Sequence, residues 1–270
     1  KEYTGAWEDH TLLEVFQELG ITQVHAPCGG NGTCKKCLVT VEGLGKVLSC
    51  QTQCKDDMCV TVAEEQKSAI AENGNCYLYP ADAGEGLLAA CDIGTTTVVC
   101  HLLDGATGVR LCTVSAPNAQ RSFGADVISR IQASVDSGLD KLQSAIVDQI
   151  NGMLVQLKQK AGRTEDIRRL AVAGNTVMSH LFCGLSPESI GVAPFTPLSL
   201  FGESYDAKQI GIEGCETVYV VPSIAGYVGG DIVADLAAVQ MHSSVLAEDG
   251  EKETLMLDIG TNGEMVLGKS

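Results

Sequence analysis

The chain has 270 residues, of which 45% are hydrophobic and 19% charged, the composition of an ordinary globular protein long enough for two domains. Its 34 acidic residues outnumber the 18 basic ones and give a formal net charge of −16, which argues against sequence-independent binding to nucleic acid or to an anionic membrane. Every apolar run is interrupted well before the roughly 18 residues that a membrane-spanning helix needs, and no secretory signal is recognisable, so we expect a cytoplasmic protein.

The 12 cysteines are placed in two different ways. Four of them lie between positions 28 and 50, whereas Cys91, Cys100 and Cys112 fall inside apolar, strand-like runs. A free cysteine in such a run behaves as a small hydrophobic residue, and a secreted disulfide scaffold would be a shorter, loop-rich chain. We therefore expect a reducing cytoplasm, in an organism that lives without oxygen.

Residues 1–63 are predicted to form the first domain, and residues 1–7 are interpreted as the end of a hairpin strand. Apolar residues at 12, 15, 16 and 19 then define one face of a helix, which Asp9 or Thr11 can cap and Gly20 can end. Two strands are predicted at 38–41 and 46–49, joined by a glycine-containing turn.

The segment between residues 25 and 50 carries a pattern typical of a metal site. The spacing Cys-x5-Cys-x2-Cys-x12-Cys gives four candidate ligands, which are Cys28, Cys34, Cys37 and Cys50. Thiolates hold iron when several converge, and a glycine-rich loop suits an iron–sulfur cluster because its N–H groups can donate to the sulfurs. We expect a [2Fe–2S] cluster. Zinc or unliganded thiols are the alternatives, and Cys54 and Cys59 are rivals of Cys50 for the fourth position.

With the helix before it and VLSCQT after it, the loop CGGNGTCKKC resembles that of the β-grasp [2Fe–2S] ferredoxins. The resemblance implies a small domain that carries single electrons. Residues 64–86 are then polar and glycine-containing, with one strand expected near 76–79. We predict that they form a linker.

The rest of the chain contains the string Asp-Ile-Gly-Thr twice, at 92–95 and 258–261, each time after an apolar strand. The first copy belongs to three antiparallel strands over 87–115, and the second opens another hairpin. Glycine allows close approach to a phosphate oxygen, N–H groups and threonine hydroxyls donate to it, and a carboxylate can orient Mg²⁺ or water. The candidate phosphate-binding residues are Gly94, Thr95, Thr96, Gly260, Thr261 and Asn262. The candidate catalytic residues are Asp92, Asp258 and Asp231.

Between the two hairpins, hydrophobic periodicity predicts helices, strand, helix, strand and helix. Four helices are predicted, at 118–135, 140–160, 176–185 and 231–241, and two strands, at 166–172 and 216–221. In the first of these helices, residues 127, 128, 131 and 135 define the apolar face. This order predicts a mixed sheet covered by helices on both faces. With the two hairpins it resembles the ribonuclease-H-like halves of the actin, sugar-kinase and acetate-kinase superfamily.

The resemblance implies an α/β (α+β multidomain) protein. The first ribonuclease-H-like subdomain is expected at 87–253, and the opening hairpin of a second at 254–270. Asp231 is interpreted first as a helix N-cap, with a place in a metal shell as the alternative. Asn175 and Thr176 are likewise interpreted as caps first, with a role in the site as the alternative. Four further residues are given no part in the chemistry, namely His25, His180, Met178 and Phe182.

Joined in order, these pieces resemble a narrower family, the reductive activators of corrinoid proteins. The matching stretches are CDIGTTTVV, NAQRSFGADVISRI, LAVAGNTVMSHLFCGLSP, APFTP, VPSIAGYVGGDIVADL and MLDIGTNGEMVLG; Ala119 stands where the family usually has proline. The resemblance implies ATP- and Mg²⁺-dependent, one-electron reduction of the cob(II) corrinoid cofactor of a methyltransferase partner, with electrons from a separate donor. A homodimer is left open. The family continues beyond the second hairpin, so the chain is expected to be a C-terminally truncated piece.

Two functions from other classes stay open at this point. The first is a ferredoxin-type electron carrier with a non-catalytic docking domain, for which ATP would have no effect on reduction. The second is a small-molecule kinase with an accessory cluster, which would phosphorylate a low-molecular-weight acceptor. A fold of this kind serves kinases, hydrolases and filament proteins alike, so it cannot separate them.

Overall fold

The computed structural model describes residues 2–21, 23, 24, 26, 29–33, 35–55, 57–62, 84–239 and 253–269. Their buried hydrophobic side chains form two separate clusters, a small one between residues 12 and 50 and a large one between residues 87 and 220. Each cluster lies against its own sheet, so the described chain contains two structural units. No helix in the described ranges is long and apolar enough to cross a membrane.

The first unit begins with helix α1, Leu12–Glu18. Thr11 and Glu14 form a capping box, in which the Glu14 N–H donates to Thr11 Oγ1 and the Thr11 N–H donates to the Glu14 carboxylate. This arrangement satisfies two of the N–H groups that a helix start leaves without partners. Of the four predicted apolar positions, Leu12, Val15 and Phe16 are buried, whereas Leu19 at the end of the helix is half-buried. Leu13, which was not predicted on this face, is buried as well.

The sheet of the first unit has the order β2-β1-β3, with antiparallel pairing throughout. Its strands are β1, Leu38–Val41, β2, Gly45–Leu48, and β3, Val60–Thr61. Residues 2–7 are not part of it, so the hairpin strand expected at the start of the chain is wrong. Both edges of β1 are already paired, one with β2 and one with β3, which leaves no edge of that strand for another. Of the expected linker, residues 64–83 lie outside the described residues.

The second unit contains a six-stranded sheet of order β6-β5-β4-β7-β9-β8. Its strands are β4, Leu87–Ile93, β5, Thr97–Asp104, β6, Arg110–Pro117, β7, Ile167–Gly174, β8, Ser204–Asp206, and β9, Cys215–Val220. Strands β4, β5 and β6 form an antiparallel meander, whereas β7 is parallel to β4 and to β9. This is the mixed order of a ribonuclease-H-like fold, as the sequence predicts.

Helices cover this sheet unevenly. They are α2, Val127–Asp136, α3, Leu139–Ala161, α4, Thr176–Cys183, α5, Ala207–Ile210, and α6, Gly230–Ala238. In β4 every second side chain is buried, while those between are half-buried or exposed. At the centre of the described sheet, therefore, one face is fully covered and the other only partly. The three-residue β8 and four-residue α5 are too short to give a periodic signal, and neither was predicted.

Helix α2 is turned differently from the predicted orientation. Ile128 and Val135, predicted on its buried face, are 56% and 52% exposed, whereas Arg130 is wholly buried. The reason is a set of tertiary contacts. The Arg130 side chain points inward because it donates to the Gly124 carbonyl in the preceding loop and to the Thr95 carbonyl in the turn between β4 and β5. Helix α3 follows its amphipathic pattern, and all its predicted apolar positions are buried: Leu142, Ile146, Ile150, Met153, Leu154 and Leu157.

After residues 240–252, which lie outside the description, the chain forms a two-stranded hairpin. Strand β10, Glu253–Ile259, pairs in antiparallel fashion with β11, Gly263–Lys269, and Asp258 lies opposite Glu264. The hairpin predicted around the second Asp-Ile-Gly-Thr string is therefore present.

Candidate cluster loop and phosphate cleft

The Cys37 and Cys50 side chains come together in the first unit. Both are buried, and their Sγ atoms lie 3.3 Å apart. A tetrahedral metal with metal–sulfur bonds of about 2.3 Å places neighbouring sulfurs about 3.8 Å apart. The observed distance is about 0.5 Å shorter than this and much longer than a disulfide bond, so a small outward shift of the two thiols would let them bind one metal ion. The other two expected ligands, Cys28 and Cys34, and also His25, lie outside the described residues.

The rivals for the fourth position are placed differently. Cys59 is exposed, and Cys54 is half-buried with its Sγ 3.9 Å from the Lys55 carbonyl oxygen. Cys50 is held where it is because the 3-10 helix Ser49–Gln51 follows β2 directly. This local turn carries its thiol under the sheet toward Cys37. The geometry thus favours Cys50 over both rivals.

Backbone and amide donors surround the Cys50 sulfur. The Gly32 N–H donates to it, and the Gln51 Nε2 group lies 3.7 Å from it while also donating to the Gly30 carbonyl at 3.0 Å. Burial, and next the neighbouring Cys37 thiol, raise the pKa of Cys50. A metal ion reverses this tendency, since a coordinated thiol loses its proton. The donor set and the surrounding N–H groups therefore fit an iron–sulfur cluster.

The first Asp-Ile-Gly-Thr string forms the turn between β4 and β5. A Cβ atom on Gly94 would lie 2.7 Å from the Thr97 carbonyl oxygen, so no other residue fits there without shifting the backbone. Asp92 is the last residue but one of β4, and Ile93 separates it from this turn. We call residues 94–96 the phosphate turn.

All three carbonyl groups of the phosphate turn are bound from inside the protein. The Asn118 side chain donates to the Gly94 carbonyl at 2.7 Å, its backbone N–H donates to the Thr96 carbonyl at 2.9 Å, and the Arg130 guanidinium donates to the Thr95 carbonyl at 2.5 Å. In a trans peptide the C=O and N–H groups point in opposite directions. The N–H groups of Thr95 and Thr96 therefore point away from these partners, as donors for an anion require.

The second hairpin meets the first at this turn. Thr96 Oγ1 lies 2.6 Å from Thr261 Oγ1, so the two Asp-Ile-Gly-Thr strings face one cleft. Thr95 is buried and its hydroxyl accepts from the Asn175 side chain at 3.1 Å. In the second turn the Gly260 N–H is already bonded to the Asn262 carbonyl at 3.0 Å. A donor role there falls to the N–H groups of Thr261 and Asn262.

Acidic side chains collect around the cleft. Asp92 is open to it, yet desolvation by the surrounding protein, and then the charges of Asp231, Asp235 and Asp258, raise its pKa to about 6. Desolvation followed by neighbouring carboxylates also raises the pKa of Asp235, and that of Glu264 for the same reasons. The structure thus brings the three predicted acids Asp92, Asp231 and Asp258 into one electrostatic group.

Asp235 and Glu264 were not predicted as site residues, although both had a signal in the sequence. Asp235 follows Asp231 by four residues, which places it on the same face of α6. Glu264 is the cross-strand partner of Asp258. Among the described residues, no three His, Cys, Asp or Glu side chains converge closely enough to hold a metal ion by themselves.

The interpretation of Asp231 as an N-cap is wrong. The N-cap of α6 is Gly229, and the Asp231 carboxylate accepts instead from the Ile232 N–H at 2.9 Å. A Cβ on Gly229 would lie 2.4 Å from the Asn175 Cα, so the capping position has no room for a side chain. This close approach brings the start of α6, with Asp231, up to the start of α4.

The polar residues of α4 divide into a cap and core residues. Asn175 is the N-cap, as predicted, and accepts from the Met178 N–H at 3.0 Å. Thr176 is not a cap, since its buried hydroxyl donates to the Ala225 carbonyl at 2.6 Å. His180 is wholly buried, as expected of a packing residue, and accepts from the Leu198 N–H at 3.1 Å. Met178 and Phe182 are core residues.

A second cleft lies between the two units, next to Cys50. It has a volume of about 510 Å³ and separates α1 and the cluster loop from α2. Among the side chains that line it are Glu14, Gln17, Asn31, Ile128 and Gln132. The Gln17 amide bridges the units by donating to the Ser122 carbonyl at 2.8 Å. We call this space the cluster-side cleft.

Each of the two structural units matches a known protein family. Residues 3–65 match the model of a 2Fe-2S iron–sulfur cluster binding domain, and residues 87–244 match that of the RACo middle region. A corrinoid activation enzyme of Eubacterium limosum, RamQ, is 30% identical over 346 aligned positions, which cover 97% of this chain and 56% of that protein. A solved structure titled reductive activator for corrinoid, iron–sulfur protein matches with a TM-score of 0.62 and 28% identity, over 98% of this chain and 59% of the other. The chain thus spans less than two thirds of either relative.

Fold and sites together define the class: an iron–sulfur protein in which a ferredoxin-type domain is joined to a ribonuclease-H-like α/β unit. The match over residues 87–244 covers more than half of the chain. The chain belongs to the family of the reductive activators of corrinoid proteins.

Proposed function

We propose that this protein uses ATP to drive the one-electron reduction of a cob(II) corrinoid cofactor to cob(I) on a methyltransferase partner. The observation that carries the proposal is the 2.6 Å contact of Thr96 with Thr261. It brings the two Asp-Ile-Gly-Thr turns together beside a group of acidic side chains, in a chain that also carries the thiol pair Cys37 and Cys50. The names of the two relatives, a corrinoid activation enzyme and a reductive activator, support the same assignment.

In this proposal Cys28, Cys34, Cys37 and Cys50 hold a [2Fe–2S] cluster. When bound, the cluster supplies single electrons, which an external one-electron donor replaces. The Gly32 N–H and the Gln51 amide stabilise the thiolate of Cys50. The burial of Cys37 and Cys50 keeps water from the sulfurs.

The phosphate cleft holds the nucleotide in the same proposal. The N–H groups of Thr95 and Thr96 donate to phosphate oxygens from one side, and those of Thr261 and Asn262 from the other. Asp92, Asp231 and Asp258 are the residues that would hold a Mg²⁺ ion or its waters, and the ion would supply positive charge to the phosphates. Its charge would also lower the pKa of Asp92, because it attracts the ionised form of the carboxyl group.

ATP is needed because the electron moves uphill. A one-electron transfer against a potential difference of about 59 mV costs about 1.4 kcal/mol, so a gap of a few hundred millivolts requires coupling to another reaction. Nucleotide can provide it only if it binds two conformations of the complex with different affinity. The cleft between two hairpins suits this role, since nucleotide contacts both of them at once.

The test uses the full-length protein under anaerobic conditions. Protein, a chemical reductant and a cob(II) corrinoid protein are mixed, and the cob(I) absorption is followed with ATP, with ADP and without nucleotide. We expect the signal with ATP alone. Equal cob(I) formation in all three samples would favour the plain electron carrier, and phosphate transfer to a small acceptor would favour the kinase. Size-exclusion chromatography of the same sample decides whether the protein is a homodimer.

A further inference from the structure

Arg130 is a buried charge with a place directly behind the phosphate turn. Its side chain is wholly buried. The Nε group donates to the Gly124 carbonyl at 3.0 Å, Nη1 lies 3.0 Å from Met178 Sδ, and Nη2 donates to the Thr95 carbonyl. These partners are all neutral, and among the described residues no carboxylate lies within ion-pair distance of the guanidinium.

A buried arginine normally has an anionic partner, because removing a charge from water is unfavourable unless another charge compensates it. Asp126 attracts the guanidinium from a longer distance, while Arg121 repels it, and burial remains the largest influence. Burial lowers the pKa of Arg130 to about 9, which still leaves the side chain positively charged at neutral pH. The compensating charge must therefore come mainly from elsewhere.

The geometry points to a bound phosphate as that partner, reached through a single peptide group. The Thr95 carbonyl and the Thr96 N–H belong to the same peptide and point in opposite directions. A cation that donates to the carbonyl polarises the peptide and strengthens its N–H as a donor, as in any chain of hydrogen bonds. We propose that Arg130 is a positioning residue that fixes the phosphate turn from behind and increases its affinity for phosphate through the Thr95–Thr96 peptide.

This inference rests on the proposed nucleotide function and deepens it. Arg130 then affects the binding of the phosphate groups of the ligand and not the binding of its nucleoside. A residue that only supported the fold would affect both parts of the ligand alike. The two cases can therefore be separated by comparing ADP with adenosine.

The test is calorimetric titration of full-length protein with ADP and with adenosine, for wild type, R130Q, R130K and a control. Glutamine can still donate a hydrogen bond to the Thr95 carbonyl but has no charge, whereas lysine keeps the charge without the planar fork. The control is R163Q, a surface arginine paired with Glu165, and it should match wild type for both ligands. Cluster absorbance and thermal melting identify variants that are folded.

We expect R130Q to weaken ADP binding about tenfold and R130K about two- to fivefold, because a charge-assisted hydrogen bond is lost or distorted. Adenosine binding should stay within about twofold of wild type in both variants, since no phosphate is involved. The inference is overturned if folded R130Q binds ADP as tightly as wild type, or if ADP and adenosine weaken together. Should R130Q not fold, the same criteria apply to R130K. A wild-type protein that binds neither ligand refutes the proposed function itself.

Discussion

The cluster loop and the phosphate turn are held in place by different interactions. Around the cluster site, Gln51 and Gly32 provide the donors to Cys50, and the core behind them is small. In the phosphate turn each of three carbonyls has a protein donor and the core behind it is large. A metal-binding loop gains much of its order from the metal, whereas the phosphate turn is organised by the polypeptide in advance. Substitutions should therefore affect the two regions differently.

The largest effect is expected from Cys50→Ser. The hydroxyl is a poor replacement for a thiolate on iron, so the visible absorption of anaerobically purified protein should fall sharply and the ATP-dependent cob(I) signal should drop to background. Because the phosphate cleft is independent of the metal, ADP affinity should not change. The matched control is Cys59→Ser at an exposed cysteine. An unchanged visible spectrum in C50S would mean that Cys54 or Cys59, and not Cys50, is the fourth ligand of the cluster.

The next effect concerns the preorganised turn. Asn118 is wholly buried, donates to the Gly94 carbonyl and accepts from the Gln120 N–H at 2.8 Å. Asn118→Ala leaves both groups without these bonds and should lower the free energy of unfolding by about 2–3 kcal/mol in urea denaturation. The control is Asn151→Ala at a less buried asparagine that also bonds two backbone groups, with an expected loss of about 1 kcal/mol. Equal losses would contradict a special role for burial at the turn.

A smaller effect with a defined pH dependence is expected from Asp92→Asn. Because the folded pKa of about 6 is above the ordinary value for aspartate, the contribution of Asp92 to stability is present below pH 3.8 and is lost as the pH rises through 6. In a site without water, a pKa shift of this size would lower the free energy of unfolding at neutral pH by about 3 kcal/mol. Screening by water in the open cleft reduces this loss to about 1 kcal/mol. Nucleotide-free D92N should therefore be more stable than wild type at pH 7, and the difference should disappear in acid.

The control for this measurement lies at the other end of the same hairpin. The Thr107 hydroxyl, and then backbone N–H groups, lower the pKa of Asp104. Asp104→Asn should therefore have the opposite sign and lose stability at neutral pH, with the difference vanishing as the pH falls through the lowered pKa. Identical pH profiles for the two variants would show that the carboxylates around Asp92 do not repel one another as described.

The smallest effect is expected at the contact between the units. Gln17→Ala removes the hydrogen bond to the Ser122 carbonyl and should cost about 0.5–1 kcal/mol. Denaturation followed by cluster absorbance and by far-UV circular dichroism should show the two transitions moving apart, because the units are then less tightly joined. Transitions that shift together would argue that other contacts dominate this boundary.

Local patterns of the sequence were sufficient for the hairpins, the long helix α3 and the ribonuclease-H-like order. The α2 interpretation was partly wrong, because Ile128 and Val135 have the right spacing for a buried face while Arg130 takes the buried place. No periodicity reveals that an arginine will donate to a carbonyl group 35 residues away in the chain. The same applies to Asn118, whose hydrogen bonds to the Gly94 and Thr96 carbonyls form only when the sheet is assembled.

The candidate cluster ligands could be predicted because their spacing is a local property of the chain. The sequence already favoured Cys50 over Cys54 and Cys59 as the fourth ligand. The geometric reason, which is the 3-10 helix after β2 and the packing of Cys37, becomes visible only in the fold. The prediction of the N-cap of α6 was wrong for a related reason. The N-cap position lies against Asn175 in another element and has room only for glycine, Gly229. Where a role depends on two distant segments, the sequence supplies candidates, and only the fold shows which contacts decide between them.

Helix α2 has one side on the phosphate turn, through Arg130, and the other on the cluster-side cleft. Asp136 lies six residues beyond Arg130, about 9 Å along the helix axis, so that a tilt of about 6° around Arg130 moves it by roughly 1 Å. The helix therefore connects the nucleotide side of the protein with the wall of the cleft next to Cys50. A change of its tilt at Arg130 would alter the width of that cleft without altering the fold.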